Sequence, residues 1–221
     1  MPGVIFDMDG VLVASGPAHA ASWRLLARKH GIEISDEQFA ATFGQTSRDI
    51  LRSFWGERLS DDQVRRLDAE KEAIYRELIT GMVPLTIGAR ETLAGLAQAG
   101  FVLALATSGP PENVELVLRE TGLGPCFAAT VTGCDVQRGK PAPDCFLLAA
   151  QRAGVSPAQC TVVEDAPVGI QAALAAGMTP IGFAGTHPPE RLRAAGVATV
   201  VSRLSEIAPE LVRGLLRHGT L

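Results

Sequence analysis

Gly3-Val4-Ile5-Phe6-Asp7-Met8-Asp9-Gly10-Val11-Leu12 is the stretch on which the reading of this chain turns. Val4, Ile5 and Phe6 are β-formers that read as a buried strand. Side chains two residues apart in an extended segment point to one side, so Asp7 and Asp9 can face one crevice. Gly10 then lets the backbone turn away tightly. In an open parallel sheet, ligands bind beyond the carboxyl ends of the strands, which makes this strand end a candidate active site. The ten residues alone also read as an acidic strand-to-loop turn, because Asp and Gly are ordinary turn formers.

Downstream the pattern changes twice. Pro17 to His30 carries Ala20, Trp23, Leu26 and Ala27 at helical intervals and stops at Gly31. Helices are expected over 36–42, 46–54 and 61–79, the last capped at Ser60-Asp61-Asp62, so that roughly 14–80 is all helical. From Met82 onward, apolar strands alternate with helices. Helix is expected at 88–99, 111–121, 143–153, 167–176 and 203–217, and strand at 101–107, 127–132, 161–164, 180–183 and 197–201. This alternation predicts βαβ units and an α/β fold: a parallel sheet with helices on both faces. One strand cannot bury itself alone, so 3–7 must join that sheet. The expected division is a discontinuous core of 1–13 and 82–221 interrupted by a helical insertion at 14–81, a candidate lid.

The bulk numbers narrow the function classes. The chain has 221 residues, 47% hydrophobic and 20% charged, as in a globular protein with a full core. A net charge of −4 offers no basic footprint, so a nucleic-acid partner is not expected. No apolar run approaches the roughly 20 residues of a bilayer span, and no leader-like N-terminus is present, so the expectation is a cytoplasmic protein without a membrane role. Cys126, Cys134, Cys145 and Cys160 form no CxxC pair and have no histidines at metal spacing; they read as ordinary thiols.

Polar residues gather at four strand ends: Asp7 and Asp9, Thr107-Ser108-Gly109, Gly139-Lys140-Pro141, and Glu164-Asp165. Singly, each has an ordinary reading as a cap or solvated loop residue. Together, in a parallel sheet, all open on one rim. Carboxylates crowded there repel unless a cation holds them, and an all-oxygen donor set suits Mg²⁺ better than Zn²⁺. Lys140 adds positive charge, and the hydroxyls and N–H groups of Thr107-Ser108 are donors of the kind that bind phosphate. A phosphoryl group held there can be attacked by one carboxylate while the other handles the proton.

These residues resemble the haloacid dehalogenase-like (HAD) hydrolase superfamily, in the branch containing β-phosphoglucomutase and phosphoglycolate phosphatase. The resemblance rests on DMDGVL at 7–12, ATSG at 106–109, GKPAPD at 139–144 and VVEDAPVGIQAALAAGM at 162–178, and runs from about Gly3 to Val201. It implies a Rossmann-like core with an inserted helical cap, and a Mg²⁺-dependent phosphatase acting on a small phosphorylated metabolite. By the same resemblance Asp7 is the nucleophile, and Asp9 protonates the leaving oxygen and then activates water. Thr107, Ser108 and Lys140 bind the phosphoryl group. Asp7, Asp9 through its carbonyl, Asp165 and Glu164 hold the metal.

Asp9 argues against a dehalogenase or phosphonatase. The mutase alternative stays open, because His19, Trp23, Lys71 and Tyr75 match its cap. Gly109-Pro110-Pro111, where the mutase has a polar run, favours hydrolysis. Ala14 departs from the Asp common in this branch, and Ser47 stands where the mutase has an arginine, with Arg48 beside it. His19, Gln45, Arg48 and Lys71 are the candidate substrate contacts of the cap, each with an alternative reading as a packing or solvated helix residue. The expected assembly state is monomer or weak homodimer.

Overall fold

The computed structural model describes residues 1–35, 37–38 and 47–218, and the chain divides into two compact units, Met1–Ala14 with Val83–Leu221 and Ser15–Met82. The first unit is built on six parallel strands: β1 (Gly3–Phe6), β2 (Val102–Ala106), β3 (Ala129–Val131), β4 (Cys160–Glu164), β5 (Thr179–Phe183) and β6 (Thr199–Val201). Their spatial order is β3-β2-β1-β4-β5-β6. The chain thus winds outward in both directions from β1, which pairs Gly3 with Val102 on one side and with Cys160 on the other. The strand order reverses at this central strand, which is where an open α/β sheet has its crevice.

The strands read as continuous apolar runs because both faces are covered. Ile5, Ala104, Ala106, Val131 and Val162 point into one core layer. There they meet Phe146, Ala149 and Ala150 of α6 (Asp144–Arg152) and Ala172 and Ala173 of α7 (Pro167–Ala175). The alternate residues, Val4, Phe6, Leu103, Leu105 and Val163, are equally buried and face the other way. On that side α4 (Ala89–Gln98) packs on β2 and α9 (Pro209–His218) on β4. α5 (Pro111–Thr121) connects β2 to β3, and α8 (Pro189–Ala194) packs on β5 and β6.

The second unit contains α1 (Gly16–Lys29), α2 (Ser47–Trp55) and α3 (Asp61–Ile79). Trp23, Leu26, Ile50, Leu51, Val64 and Leu67 form its core, with Phe54 and Trp55 against it. Full burial of each such side chain contributes about 1.5–3 kcal/mol. The expected cap of α3 is present: the Ser60 hydroxyl accepts from Gln63 N–H, and Gln63 Oε1 accepts from Ser60 N–H at 2.9 Å. Of the helix expected at 36–42 only 37–38 are described, and Phe39, Phe43 and Gln45 lie outside the described residues.

Two expectations are corrected. The last helix begins at Pro209 and not near 203. Leu204–Glu206 is a separate 3₁₀ turn, in which Glu206 Oε1 accepts from Arg203 N–H at 2.9 Å, and Pro209 opens the helix proper. Paired prolines mark a loop in the sequence, yet Pro188-Pro189 starts α8, since a proline in the first turn gives up an N–H that has no helical partner anyway.

Candidate active site

β1 delivers Asp7 to the rim as its last paired residue, with Asp7 N–H donating to Val163 O at 3.0 Å. The chain then folds back within a few residues, Leu12 and Val13 N–H both donating to Met8 O, with Gly10 at φ 78°. An L side chain rarely adopts that angle. Asp7 ends buried and Asp9 half-buried. Thr107 extends β2 in the same way, its N–H donating to Val131 O at 3.0 Å, while Ser108 is exposed.

The loop after β3 carries Lys140 across the rim. Its Nζ donates to Asp7 Oδ1 at 2.6 Å and to Glu164 Oε1 at 2.5 Å, and it lies 4.8 Å from the Phe146 ring centroid. The other Glu164 oxygen accepts from Ala166 N–H at 2.8 Å. Both Glu164 oxygens therefore have partners within the protein, and the residue anchors Lys140. Gly169 of α7 makes this possible, since a Cβ there would sit 1.8 Å from Glu164 Oε1. On the opposite flank, a Cβ at Gly109 would lie 3.5 Å from Thr107 Oγ1, 3.6 Å from Asp9 Oδ2 and 3.8 Å from Asn113 Nδ2. These three polar groups therefore surround one short turn, with Gly109 N–H donating to Thr107 Oγ1 at 3.1 Å. Strand ends separated by more than 100 residues in sequence thus bring Asp7, Asp9, Thr107, Ser108, Lys140, Glu164 and Asp165 to one edge of the sheet.

The electrostatics are one-sided. Burial pushes the Asp7 carboxyl well above the usual range; Lys140 pulls it down, and Glu164 and Asp165 push it up again. Asp165 is raised to about 7, by burial first and then by Glu164, against a hydrogen bond from Thr186 and the charge of Lys140. Burial opposes the Lys140 charge, but Asp7 and Glu164 outweigh it and hold the ammonium above its ordinary range. Three buried carboxylates around one lysine leave a negative excess that a dication would neutralise. Among the described residues no three His, Cys, Asp or Glu side chains form a protein-only metal cage. Asp7 and Asp165 could still hold Mg²⁺, which usually binds through one or two carboxylates and completes its shell with water and substrate phosphate. Burial pushes the Cys145 thiol up to about 11, so it is protonated at neutral pH and is not a nucleophile.

Within the helical unit, His19 and Lys71 come together. Lys71 is buried and donates to His19 Nδ1 at 2.7 Å and to Glu72 Oε1 at 2.6 Å, 5.4 Å from the Trp23 ring and 5.7 Å from that of Tyr75. An ammonium only donates, so His19 Nδ1 accepts, and the ring stacks on Tyr75 at 3.9 Å. The solvated-helix alternative therefore does not hold for Lys71. Arg48 is on the surface, paired with Asp61 at 3.0 Å, and is not part of this cluster. Gln45 lies outside the described residues.

Sequence reasoning passed over Asn113, fully buried on α5, and Thr186-His187 after β5. His187 Nδ1 lies 3.1 Å from Asp165 O, and burial lowers the basicity of its ring. The three residues carry no motif; only the proximity of Asn113 to Gly109, and of β5 to β4, brings them to the rim. Among the described residues, no helix is long and apolar enough to cross a membrane.

Residues 1–177 match the family model described as haloacid dehalogenase-like hydrolase. The chain is 36% identical to a fructose-1-phosphate phosphatase of Escherichia coli, over 80% of this chain and 93% of the relative. It is 31% identical to a β-phosphoglucomutase of Bacillus subtilis, over 96% and 94% respectively. The solved structure of a HAD hydrolase of family IA, variant 3, from Entamoeba histolytica superposes with a TM-score of 0.92 at 29% identity, covering 99% of this chain and 100% of that one.

Proposed function

The chain belongs to the haloacid dehalogenase-like hydrolases, and from that premise we propose that it is a Mg²⁺-dependent phosphatase of a small phosphate monoester, a sugar phosphate or a phosphoglycolate-like metabolite, working through an aspartyl-phosphate on Asp7. The observation that carries this reading is Lys140, buried with its ammonium 2.6 Å from Asp7 Oδ1. A carboxylate fixed against a cation in a site lined by hydroxyls is arranged to meet a phosphoryl group and to offset the charge that develops on it.

An Asp7 oxygen attacks phosphorus, and the bond to the leaving oxygen breaks as Asp9 gives that oxygen its proton. Asp9, now a carboxylate, takes a proton from water. The water oxygen attacks the acyl phosphate, freeing inorganic phosphate and restoring the Asp7 carboxylate. Thr107 and Ser108 hold the phosphoryl oxygens, while Glu164 keeps Lys140 extended toward them. Mg²⁺ held by the Asp7 and Asp165 side chains and the Asp9 carbonyl, with Glu164 in support, would supply the charge that lets the buried acids stay ionised beside the phosphate. The unit Ser15–Met82 is the cap in this reading. His19 and Lys71 are its substrate contacts, with Gln45 and Arg48 as further candidates. The enzyme acts in the cytoplasm, as a monomer or weak homodimer.

Likeness to a β-phosphoglucomutase over nearly the whole chain favours a second reading, phosphoryl transfer within a sugar phosphate. Hydrolysis fits better, because Pro110 and Pro111, at the cap and first turn of α5, offer no N–H to grip a second phosphate. The test is phosphate release from a panel of phosphomonoesters with and without Mg²⁺, with Asp7→Asn as control. Release that needs Mg²⁺ and disappears in the variant is expected. Isomerisation dependent on a bisphosphate primer would favour the mutase, and no turnover of either kind would overturn both readings.

A further inference from the structure

The segment after β5 makes contacts at the site that the proposed chemistry does not use. Gly185 N–H donates to Phe183 O at 2.9 Å, turning the chain at the strand end, and a Cβ at Gly185 would lie only 2.6 Å from Gly10 O. The two turns therefore meet backbone to backbone. A Cβ at Gly10 would in turn sit 1.9 Å from Asp165 Oδ2 and 2.6 Å from Thr186 Oγ1. The absence of both side chains lets the ends of β1, β4 and β5 close around one carboxylate. The Thr186 hydroxyl donates to that carboxylate. His187, buried, places Nδ1 3.1 Å from the Asp165 main-chain oxygen. A carbonyl only accepts, so Nδ1 carries the proton and donates. One short segment thus fixes both the side chain and the carbonyl of Asp165.

We infer that Thr186 and His187 are positioning residues for Asp165, and that by fixing its carboxylate they set the affinity of the site for a divalent cation. The inference rests on Asp165 holding the cation as proposed above. An ionised carboxylate has about four lone-pair positions, so the hydroxyl orients the group without exhausting it. Partners of this kind behind a metal ligand typically account for about 10–100-fold in affinity.

The test is direct binding of Mg²⁺ by calorimetry and of Mn²⁺ by electron paramagnetic resonance, on the full chain, together with thermal unfolding in chelator. Thr186 is exposed, so Thr186→Val should still fold, with melting in chelator lowered by no more than the loss of its one hydrogen bond to Asp165. It should bind Mg²⁺ about 10–100-fold more weakly, and Thr186→Ser, which keeps the hydroxyl, should restore most of the affinity. His187→Asn, which keeps a donor near the Nδ1 position, should bind better than His187→Leu. Wild-type affinity in Thr186→Val, or equal losses in Thr186→Val and Thr186→Ser, would overturn the inference while leaving the proposed function intact. A wild type that binds neither ion would overturn the metal assignment and the inference with it.

Discussion

Replacing Lys140 with methionine removes a positive charge that both Asp7 and Glu164 contact, while keeping a side chain of similar length against Phe146. The side chains of Lys140, Asp7 and Glu164 are 6%, 8% and 2% exposed, so solvent screens little of the interaction. Two charge pairs with centres about 3–4 Å apart at an effective dielectric near 20 attract by about 4–5 kcal/mol each. Desolvation offsets much of that sum, and breaking a buried pair by removing one partner typically costs about 3–5 kcal/mol. We expect a loss in that range at pH 8 in chelator, by urea denaturation. The loss should shrink toward pH 5. Lys140 holds the Asp7 carboxyl below where burial alone would put it, so removing the lysine raises that group further. A raised acid stabilises the fold below its unfolded value and loses that contribution as pH climbs through the folded one, so the variant falls behind over the neutral range. The lysine itself is raised and stays charged throughout this range, so its own ionisation adds nothing to the pH dependence. A difference below about 1 kcal/mol at pH 8, typical of a solvent-exposed pair, or one independent of pH, would refute the reasoning.

Gly169→Ala gives a sharper sign. Helix propensity alone would make this change in α7 stabilising by about 0.5–1 kcal/mol. The 1.8 Å approach of a Cβ to Glu164 Oε1 instead predicts a lower melting temperature and at least tenfold less phosphate release, because Glu164 must leave Lys140. In chelator, stability measured against Asp165→Asn should fall as pH rises from about 4 to about 7. The unfolded chain releases the Asp165 proton near 3.8, and the native one holds it to about 7. Added Mg²⁺ should stabilise increasingly across the same window, as proton and cation compete for the carboxylate; a stabilisation equal at pH 4.5 and 7.5 would contradict this. Asp7→Asn should lose turnover yet remain at least as stable as wild type in chelator, since it relieves the excess of buried acid.

Much of this was legible in the sequence for a physical reason. Strands buried on both faces have to be continuously apolar, so Phe101-Val102-Leu103-Ala104-Leu105-Ala106 announces β2, and the polar residues that end such runs stand out against them. Asp7, Thr107 and Asp165 stand out in that way, while Lys140 comes from the loop that follows β3. What escaped was set by packing between elements. Gly169 looks like a flaw in a helix until Glu164 is seen beneath it, and Gly185 looks like an ordinary loop residue until Gly10 is seen against it. Thr186 and His187 matter only because β5 lies next to β4, a pairing over a sequence gap that no local pattern encodes. Helical periodicity alone does not decide between a contact role and a solvated one for Lys71, because it does not reveal that His19, Trp23 and Tyr75 enclose it.

The position of β1 at the middle of the sheet also bears on how the chain is made. Its two neighbours are synthesised roughly 100 and 160 residues after it. Val4, Ile5 and Phe6 therefore wait unpaired until β2 has been made, and keep one edge open until β4 follows. A nascent chain stalled before Cys160 has one edge of that strand open, and is the form in which a holdase chaperone would find an apolar strand to bind.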